Sequence, residues 1–435
     1  MKKIIYSALA VSGLLLGSCS DYTDGLNVDP NNFTDSPGNL VLGQVGLSVA
    51  SLSESQPSRY AAIFTDQFSG CDRQYEQYEA YVVTAQDFDD SWDDIYADGI
   101  AQAKFVREKA IEEGDAQLEG AAMILEALLF GETAALYGNV PFSEAGDPFE
   151  FPNPSYDSQT EVLNGVQAML SEGINKVGSS QVLLNAVGVF ATNDATWAEV
   201  AHSLKARYYL IAGDYPNALA EAQLGISSPT GNLEAFHTET NGQENSYYQF
   251  IVEQRAGYLA LCNNPLLLRL MNGTTPRALA TPGDAERLAV YFNDDFTEPN
   301  TAAGGIFAAD ANFPIVSWIE TKLIQAEAAA RTGGDALTPF NEVRAYLEAT
   351  YGGSFPASSS SGQQLITEIL EEKYMSLPGS LQVFHDMRRT DDILGTLKGS
   401  GSSIPQRFLY PQVEINANEN FPGLEDLFTP TPVNQ

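Results

Sequence analysis

The stretch LKARYYLIAGDYPNALAEAQLGI, residues 204–226, decides the fold. Gly213 can take the left-handed conformation that ends one helix, and Asp214 can cap the next. The pattern occurs three times: over residues 92–137 with the turn at Gly114-Asp115, over 194–226, and over 315–350 with the turn at Gly333-Gly334-Asp335. Helices therefore recur to the C-terminus.

In the middle copy, Gly213, Tyr215, Ala218 and Ala222 stand where half of a tetratricopeptide repeat has them. The copies lie about a hundred residues apart, so the chain is no uninterrupted solenoid. Gly-, Pro- and Asn-rich stretches at 228–264 and 272–313 separate them. Irregular segments that long in a compact protein carry function or are disordered. The expectation is an all-α fold of tetratricopeptide-like helix pairs, with long irregular loops forming the ligand face. Leu118, Ala121, Leu125, Leu128 and Leu136 share a helical face with Leu129 at its margin. Ser158-x-x-Glu161 and Ser361-x-x-Gln364 read as capping boxes.

The N-terminus reads as an export signal. Lys2 and Lys3 precede an apolar run at residues 4–16, too short for the roughly 20 residues of a spanning helix. Leu16-Gly17-Ser18-Cys19 resembles a bacterial lipobox, which would leave Cys19 lipidated as the first mature residue. Residues 1–18 are read as signal peptide, the polar stretch 19–35 as tether, and 36–435 as one helical domain. No later stretch reads as a membrane span, so lipid on Cys19 is the expected membrane attachment. Without Lys2 and Lys3, 20 basic residues face 57 acidic ones, a net charge near −37. Such a surface repels nucleic acid and polyanions and suits neutral or cationic ligands. Cys71 and Cys262 remain, and two separate thiols are expected over a disulfide.

Catalytic signatures are missing. His202, His237 and His385 lack metal-ligand spacing, and there is no nucleophile elbow, P-loop or dinucleotide fingerprint. No catalytic residue, metal or cofactor is assigned. Acidic residues are too abundant for any glycosidase-like pair to stand out. Residues 87–94, DFDDSWDD, have Trp92 where a calcium loop needs Gly, and read as an acidic first helical turn. Trp92, Trp197 and Trp318 are expected in or near the core, and His202 as a packed or capping residue. Arg388, Arg389 and Arg407 are expected in ion pairs, among Asp386, Asp391, Asp392 and Glu414.

The segment DQFSGCDRQYEQYEAY, residues 66–81, places Tyr75, Tyr78 and Tyr81 every third residue without an apolar stripe. Tyrosine offers a flat apolar body with a polar tip for stacking on a sugar ring. Asp72 and Arg73 supply directional hydrogen bonds for its hydroxyls. Ligand binding by these five residues stands evenly against a Tyr-rich loop packed on helices. Tyr247 and Tyr248, with Asn245, Tyr258, Asn263 and Asn264, form the second candidate.

Block by block, the chain resembles the SusD/RagB family of nutrient-binding outer-membrane lipoproteins. The blocks are NVDPN at 27–31, Trp92 and Tyr96, ALYGNVPFSEA at 135–145, Tyr156-Asp157 and TWAEVAHSLKARYYL at 196–210. IETKLIQAEAAARTG at 319–333, FHDMRRTD at 384–391 and IPQRFLYPQVEINAN at 404–418 follow in the family's order. The resemblance implies a non-enzymatic protein that captures an oligosaccharide or other nutrient at the cell exterior. It also implies a partner, a SusC-like TonB-dependent porter of the outer membrane. The segment at 66–81 occupies the place of a loop that contributes to the family's ligand site. Net charge favours a neutral oligosaccharide. Peptide capture, a surface glycoside hydrolase and a scaffold for protein partners are the rival readings.

Overall fold

Each glycine–aspartate turn joins two helices, in a computed structural model that describes residues 36–182, 188–191, 193–398, 401 and 403–435. The leader, Cys19 and the tether to residue 35 lie outside the described residues. Helices α1 (Gly38–Glu54), α2 (Gln56–Phe64), α3 (Gln74–Glu79) and α4 (Asp89–Ile95) precede the first pair, α5 (Ala101–Glu113) and α6 (Ala116–Tyr137). After α7 (Gln159–Val177) come the second pair, α8 (Trp197–Ile211) and α9 (Tyr215–Ala222), then α10 (Leu266–Met271) and α11 (Asp284–Tyr291). The third pair is α12 (Trp318–Thr332) and α13 (Leu337–Tyr351), followed by α14 (Gly362–Ser376), α15 (Leu381–Arg389) and α16 (Gln412–Ala417). Gly114, Gly213 and Gly333 have φ of 72°, 75° and 79°, the left-handed conformation the turns require. Asp115, Asp214 and Asp335 accept hydrogen bonds from the backbone N–H groups of Leu118, Asn217 and Thr338. The chain has the expected all-helical fold, and Gly38–Gln435 form one compact unit.

Helix α6 is the axis of the core. It packs on α5 and α7; α8 lies on α7 and α9; α12 lies on α9, α13 and α14. Small residues permit these close approaches. A Cβ at Gly120 would sit 2.9 Å from the Gly173 carbonyl on α7, and one at Gly131 would strike the Tyr208 ring of α8. Here one expectation fails. At 22 residues and a mean hydropathy of 1.3, α6 is long and apolar enough to cross a membrane, yet its apolar window is wholly buried. Glu119, Glu126 and Glu132 on α6 are also buried, each with a cationic or hydrogen-bonding partner.

Glu132 sits in the most connected of these contacts. Arg207 of α8 reaches Glu132 at 2.9 Å and Glu320 of α12 at 2.6 Å, and donates to the Ile315 carbonyl at 2.7 Å. His385 of α15 approaches the other Glu132 oxygen through Nε2 at 2.9 Å, while its Nδ1 faces an Arg388 N–H. An arginine N–H can only donate, so His385 is neutral with its proton on Nε2. Burial pushes Glu132 up, but the His385 hydrogen bond and the Arg207 charge outweigh it and hold the carboxyl at about 2. His202 bridges to Glu221 of α9 at 2.6 Å, and Trp92, Trp197 and Trp318 are buried. Asp89 and Asp90 form the acidic first turn of α4, as read.

The arginines of the C-terminal blocks divide. Arg389 pairs with Glu327 and Asp386, as expected. Arg388 instead donates to the Ala135 carbonyl, and Arg407, which also pairs with Glu425 at 3.6 Å, donates to that of Tyr137; both cap the C-terminus of α6, where a cation meets the helix dipole. Asp392 accepts from the N–H groups of Thr396 and Leu397, and Glu414 accepts from Tyr156. The Ser158–Glu161 capping box forms. The Ser361–Gln364 box does not form: Ser361 makes no side-chain cap, and the Gln364 amide donates to the Ala278 carbonyl and Glu368.

Three two-stranded ladders link the loops: β1 (Ser69–Gly70) with β5 (Leu259–Ala260), β2 (Val140–Pro141) with β3 (Tyr156–Asp157), and β4 (Leu233–Ala235) with β6 (Phe313–Val316), all antiparallel. The first ladder overturns the expectation of separate thiols. Ser69 pairs with Ala260, which brings Cys71 and Cys262 to a Cα separation of 6.0 Å, and they form a disulfide. Spacing along the chain hid a contact made across 191 residues.

Three outcomes follow from this packing. Arg207→Met should cost about 3–5 kcal/mol in denaturant unfolding, because it strands two buried carboxylates. Glu132 has a depressed folded pKa, so its stabilisation is full above about 4.5 and disappears as pH falls through about 2. Glu132→Gln should flatten that part of the stability–pH curve. Cys71→Ser/Cys262→Ser should lower stability by about 2–4 kcal/mol, and thiol labelling of the unreduced native protein should modify neither cysteine.

Candidate functional site

The disulfide and the β1–β5 ladder join residues 66–81 to residues 259–269, and a cleft of about 690 Å³ opens at their junction. Its floor is a chain of charges. Lys398 Nζ lies 2.7 Å from Glu79 and 3.7 Å from Asp66, and Arg269 holds the other Asp66 oxygen at 2.9 Å. Glu79 also accepts from the Gly70 N–H at 2.8 Å and from the Asn263 amide at 3.1 Å. Burial pushes the Asp66 carboxyl above its ordinary range, against the pull of Lys398 and Arg269. On the wall, Tyr81 and Phe428 meet edge to face at 6.4 Å, and Phe428 stays 42% exposed. Glu76 and Leu397 complete the lining used here.

Backbone strain gathers around this cleft. Asp66, Arg73, Tyr81 and Asn264 have φ between 49° and 59°, a region costly for residues with a Cβ. Asp391 and Asp392, at 53° and 51°, start the turn that carries Lys398. Phe296, at 53°, lies beside Thr297, whose carbonyl accepts the Leu261 N–H. Among the described residues these are all the non-glycine residues with positive φ. Such strain persists only where the surroundings over-determine it.

The sequence-predicted residues are distributed unevenly. Tyr75 and Tyr78 lie on the six-residue helix α3, where their spacing puts both on one face, and Tyr81 follows the helix. All three are buried at 4%, 4% and 8% exposure, against Tyr60, Phe64, Phe250 and Tyr258. Their hydroxyls contact Arg59, Asp87 and the Lys398 N–H. Of the two readings of this segment the packed one holds, and the rings fill space between α2, α3 and the 245–260 segment. Only Tyr81 borders the cleft. Asp72 and Arg73 are exposed and do not line it. Tyr247 is fully buried, stacked on Phe307 at 4.2 Å and hydrogen-bonded to the Gly379 carbonyl, and so belongs to the core. Tyr248 is half-buried, its N–H donated to the Asn245 cap. Asn263, from the second candidate group, does reach the cleft.

Sequence reasoning missed Arg269, Lys398 and Phe428, which arrive from segments far apart in the chain. The paired aspartates at 391–392 were the available signal, since Asp tolerates left-handed turns. Among the described residues, no group of three or more His, Cys, Asp or Glu side chains could hold a metal. The cleft combines carboxylate, ammonium, guanidinium and amide groups with one open aromatic ring, a set suited to holding a hydroxylated ligand.

Residues 30–411 match the profile of the SusD-like family described as "Starch-binding associating with outer membrane". No curated protein matches the chain. Solved structures with the same fold include a SusD/RagB family protein from Bacteroides thetaiotaomicron, 19% identical with a TM-score of 0.68, the match covering 89% of this chain and 95% of that one. A SusD homologue from Bacteroides fragilis is 16% identical, with a TM-score of 0.69 and coverage of 92% and 100%. A chitin-binding protein is 18% identical, with a TM-score of 0.67 and coverage of 92% and 99%. With motifs, fold and family profile in agreement over most of its length, the chain belongs to the SusD/RagB family, in its SusD-like branch.

Proposed function

We propose that this protein is a lipid-anchored nutrient-binding protein on the outer face of the outer membrane, which captures a neutral oligosaccharide and delivers it to a SusC-like TonB-dependent porter. The observation that carries the ligand reading is the cleft, where an exposed aromatic ring stands over a line of hydrogen-bonding groups on a fold of this family. The description of the family as starch-binding and the chitin-binding neighbour support a glycan over a peptide. The export signal, the lipobox-like Leu16–Cys19 and the acidic composition support the location. Asp66 and Glu79 are tied to Lys398, Arg269 and backbone N–H groups, an arrangement for holding charge rather than transferring protons. The reading is thus binding without catalysis; hydrolysis of a bound oligosaccharide by the purified chain would replace it with the hydrolase reading.

Three experiments test this. Calorimetry with maltoheptaose and chitohexaose should find binding to at least one. Phe428→Ala should weaken it several-fold, as expected for about 1 kcal/mol of lost stacking, and Asn263→Ala should weaken it further. Binding of neither sugar, or affinity unchanged in the folded double variant, would move the site. In mild detergent extracts of outer membranes, the native chain should co-purify with a large β-barrel porter. Cys19→Ala should leave the membrane fraction or fail to be processed; retention at the native level would sink the anchor.

A further inference from the structure

A second pocket, of about 390 Å³, opens between the C-terminal end of α1 and the segment 235–249, and among the described residues shares no lining with the cleft. We infer that this pocket is a separate ligand site for a small hydroxylated molecule that carries a protonated amine.

Its floor is the pair Glu54–His237. Glu54 is 1% exposed, and His237 Nε2 stands 3.0 Å from both of its carboxylate oxygens. The other ring nitrogen, Nδ1, faces the Gln243 carbonyl at 3.2 Å. A carbonyl oxygen can only accept, so Nδ1 carries a proton. The Nε2–Glu54 contact then needs a second proton, and the pair is neutral as a whole. Burial lowers the His237 pKa, but Glu54 more than compensates and raises it, while burial raises that of Glu54 itself; both directions agree with a shared proton.

Glu244 is the group this pair leaves uncompensated. It is 5% exposed, its Oε2 accepts the Gly242 N–H at 2.6 Å, and among the described residues no donor reaches Oε1. Among the described residues, no Lys or Arg lines the pocket. A nearly buried carboxylate, one oxygen of which accepts from no described residue, in a pocket whose described lining holds no Lys or Arg, favours a positively charged N–H donor. The rest of the wall suits a ring with hydroxyls. Phe236 and Leu47 are 46% and 53% exposed and offer an apolar face, while Ser55 offers a hydroxyl and Gln249 an amide oxygen, its amide N–H and the Ser51 hydroxyl being donated to the Glu244 carbonyl and Asp94. A volume near 390 Å³ lies within the range of small-molecule sites.

The test is calorimetry of the full chain at neutral pH and physiological ionic strength with D-glucosamine, D-glucose and D-glucuronate. Glucosamine should bind about tenfold tighter than glucose, and glucuronate should not bind. Glu244→Gln should bring glucosamine down to the level of glucose. Phe236→Ala, at an exposed position that leaves folding intact, should weaken both several-fold. Phe428→Ala, in the other cleft, should change none of these values, which keeps this result separate from the oligosaccharide reading. Absence of glucosamine binding, equal affinity for the three sugars, or indifference to both Glu244→Gln and Phe236→Ala overturns the assignment.

Discussion

The guanidinium of Arg207, held between Glu132 and Glu320, is the contact on which the helical frame depends. It locks α6, α8 and α12 together with full hydrogen-bond geometry in a place where water cannot substitute. A lone charge at that depth is strongly unfavourable, so the three helices are interdependent: none can shift without stranding a charge. His385 and Gln382 extend the contact to α15, and Arg388 and Arg407 close the end of α6. The blocks TWAEVAHSLKARYYL, IETKLIQAEAAARTG and FHDMRRTD, which carry much of the family resemblance, thus converge on the buried electrostatics of the fold rather than on a ligand.

A second charged centre orders the C-terminal half. Glu372 of α14 accepts from Arg344 at 2.5 Å, Arg287 at 2.8 Å and Arg277 at 3.0 Å. Burial pushes this carboxyl up, but Arg287, Arg277 and Arg344 hold it well below the usual carboxylate range. Together the two centres take Arg207, Arg277, Arg287, Arg344 and Arg388 out of solvent. Glu132, Glu320, Glu371, Glu372 and Asp284 go out of solvent with them, so the two centres are close to neutral and the acidic excess of the composition stays on the exterior.

The helical frame was legible because its signals are local. A glycine after the last apolar residue and an aspartate to cap the next helix are short-range facts, and all three turns carry them. The cleft was hardly legible. The tyrosines at 75, 78 and 81 looked unpartnered because the apolar surfaces they cover, from Tyr60 to Phe250, lie on other segments. A tyrosine-rich stretch without its own apolar stripe can be one side of an aromatic core as readily as a sugar platform. Cys71 and Cys262 misled for the same reason: their partnership is set by a two-residue ladder that neither flanking sequence announces. Lys398 and Phe428 carry no motif, and only the folded chain places them beside Glu79 and Tyr81.

The walls of the cleft come from distant parts of the chain: Asp66 and Glu79 from its beginning, Arg269 from its middle, Lys398 and Phe428 from its end. A ligand touching these walls acts as a temporary cross-link between segments more than 300 residues apart, as the Lys398–Glu79 separation of 319 already is. Binding to the folded chain alone adds a stabilisation that grows logarithmically with ligand concentration. Occupancy and endurance are thus coupled, and a scarce nutrient would leave the protein less durable than an abundant one.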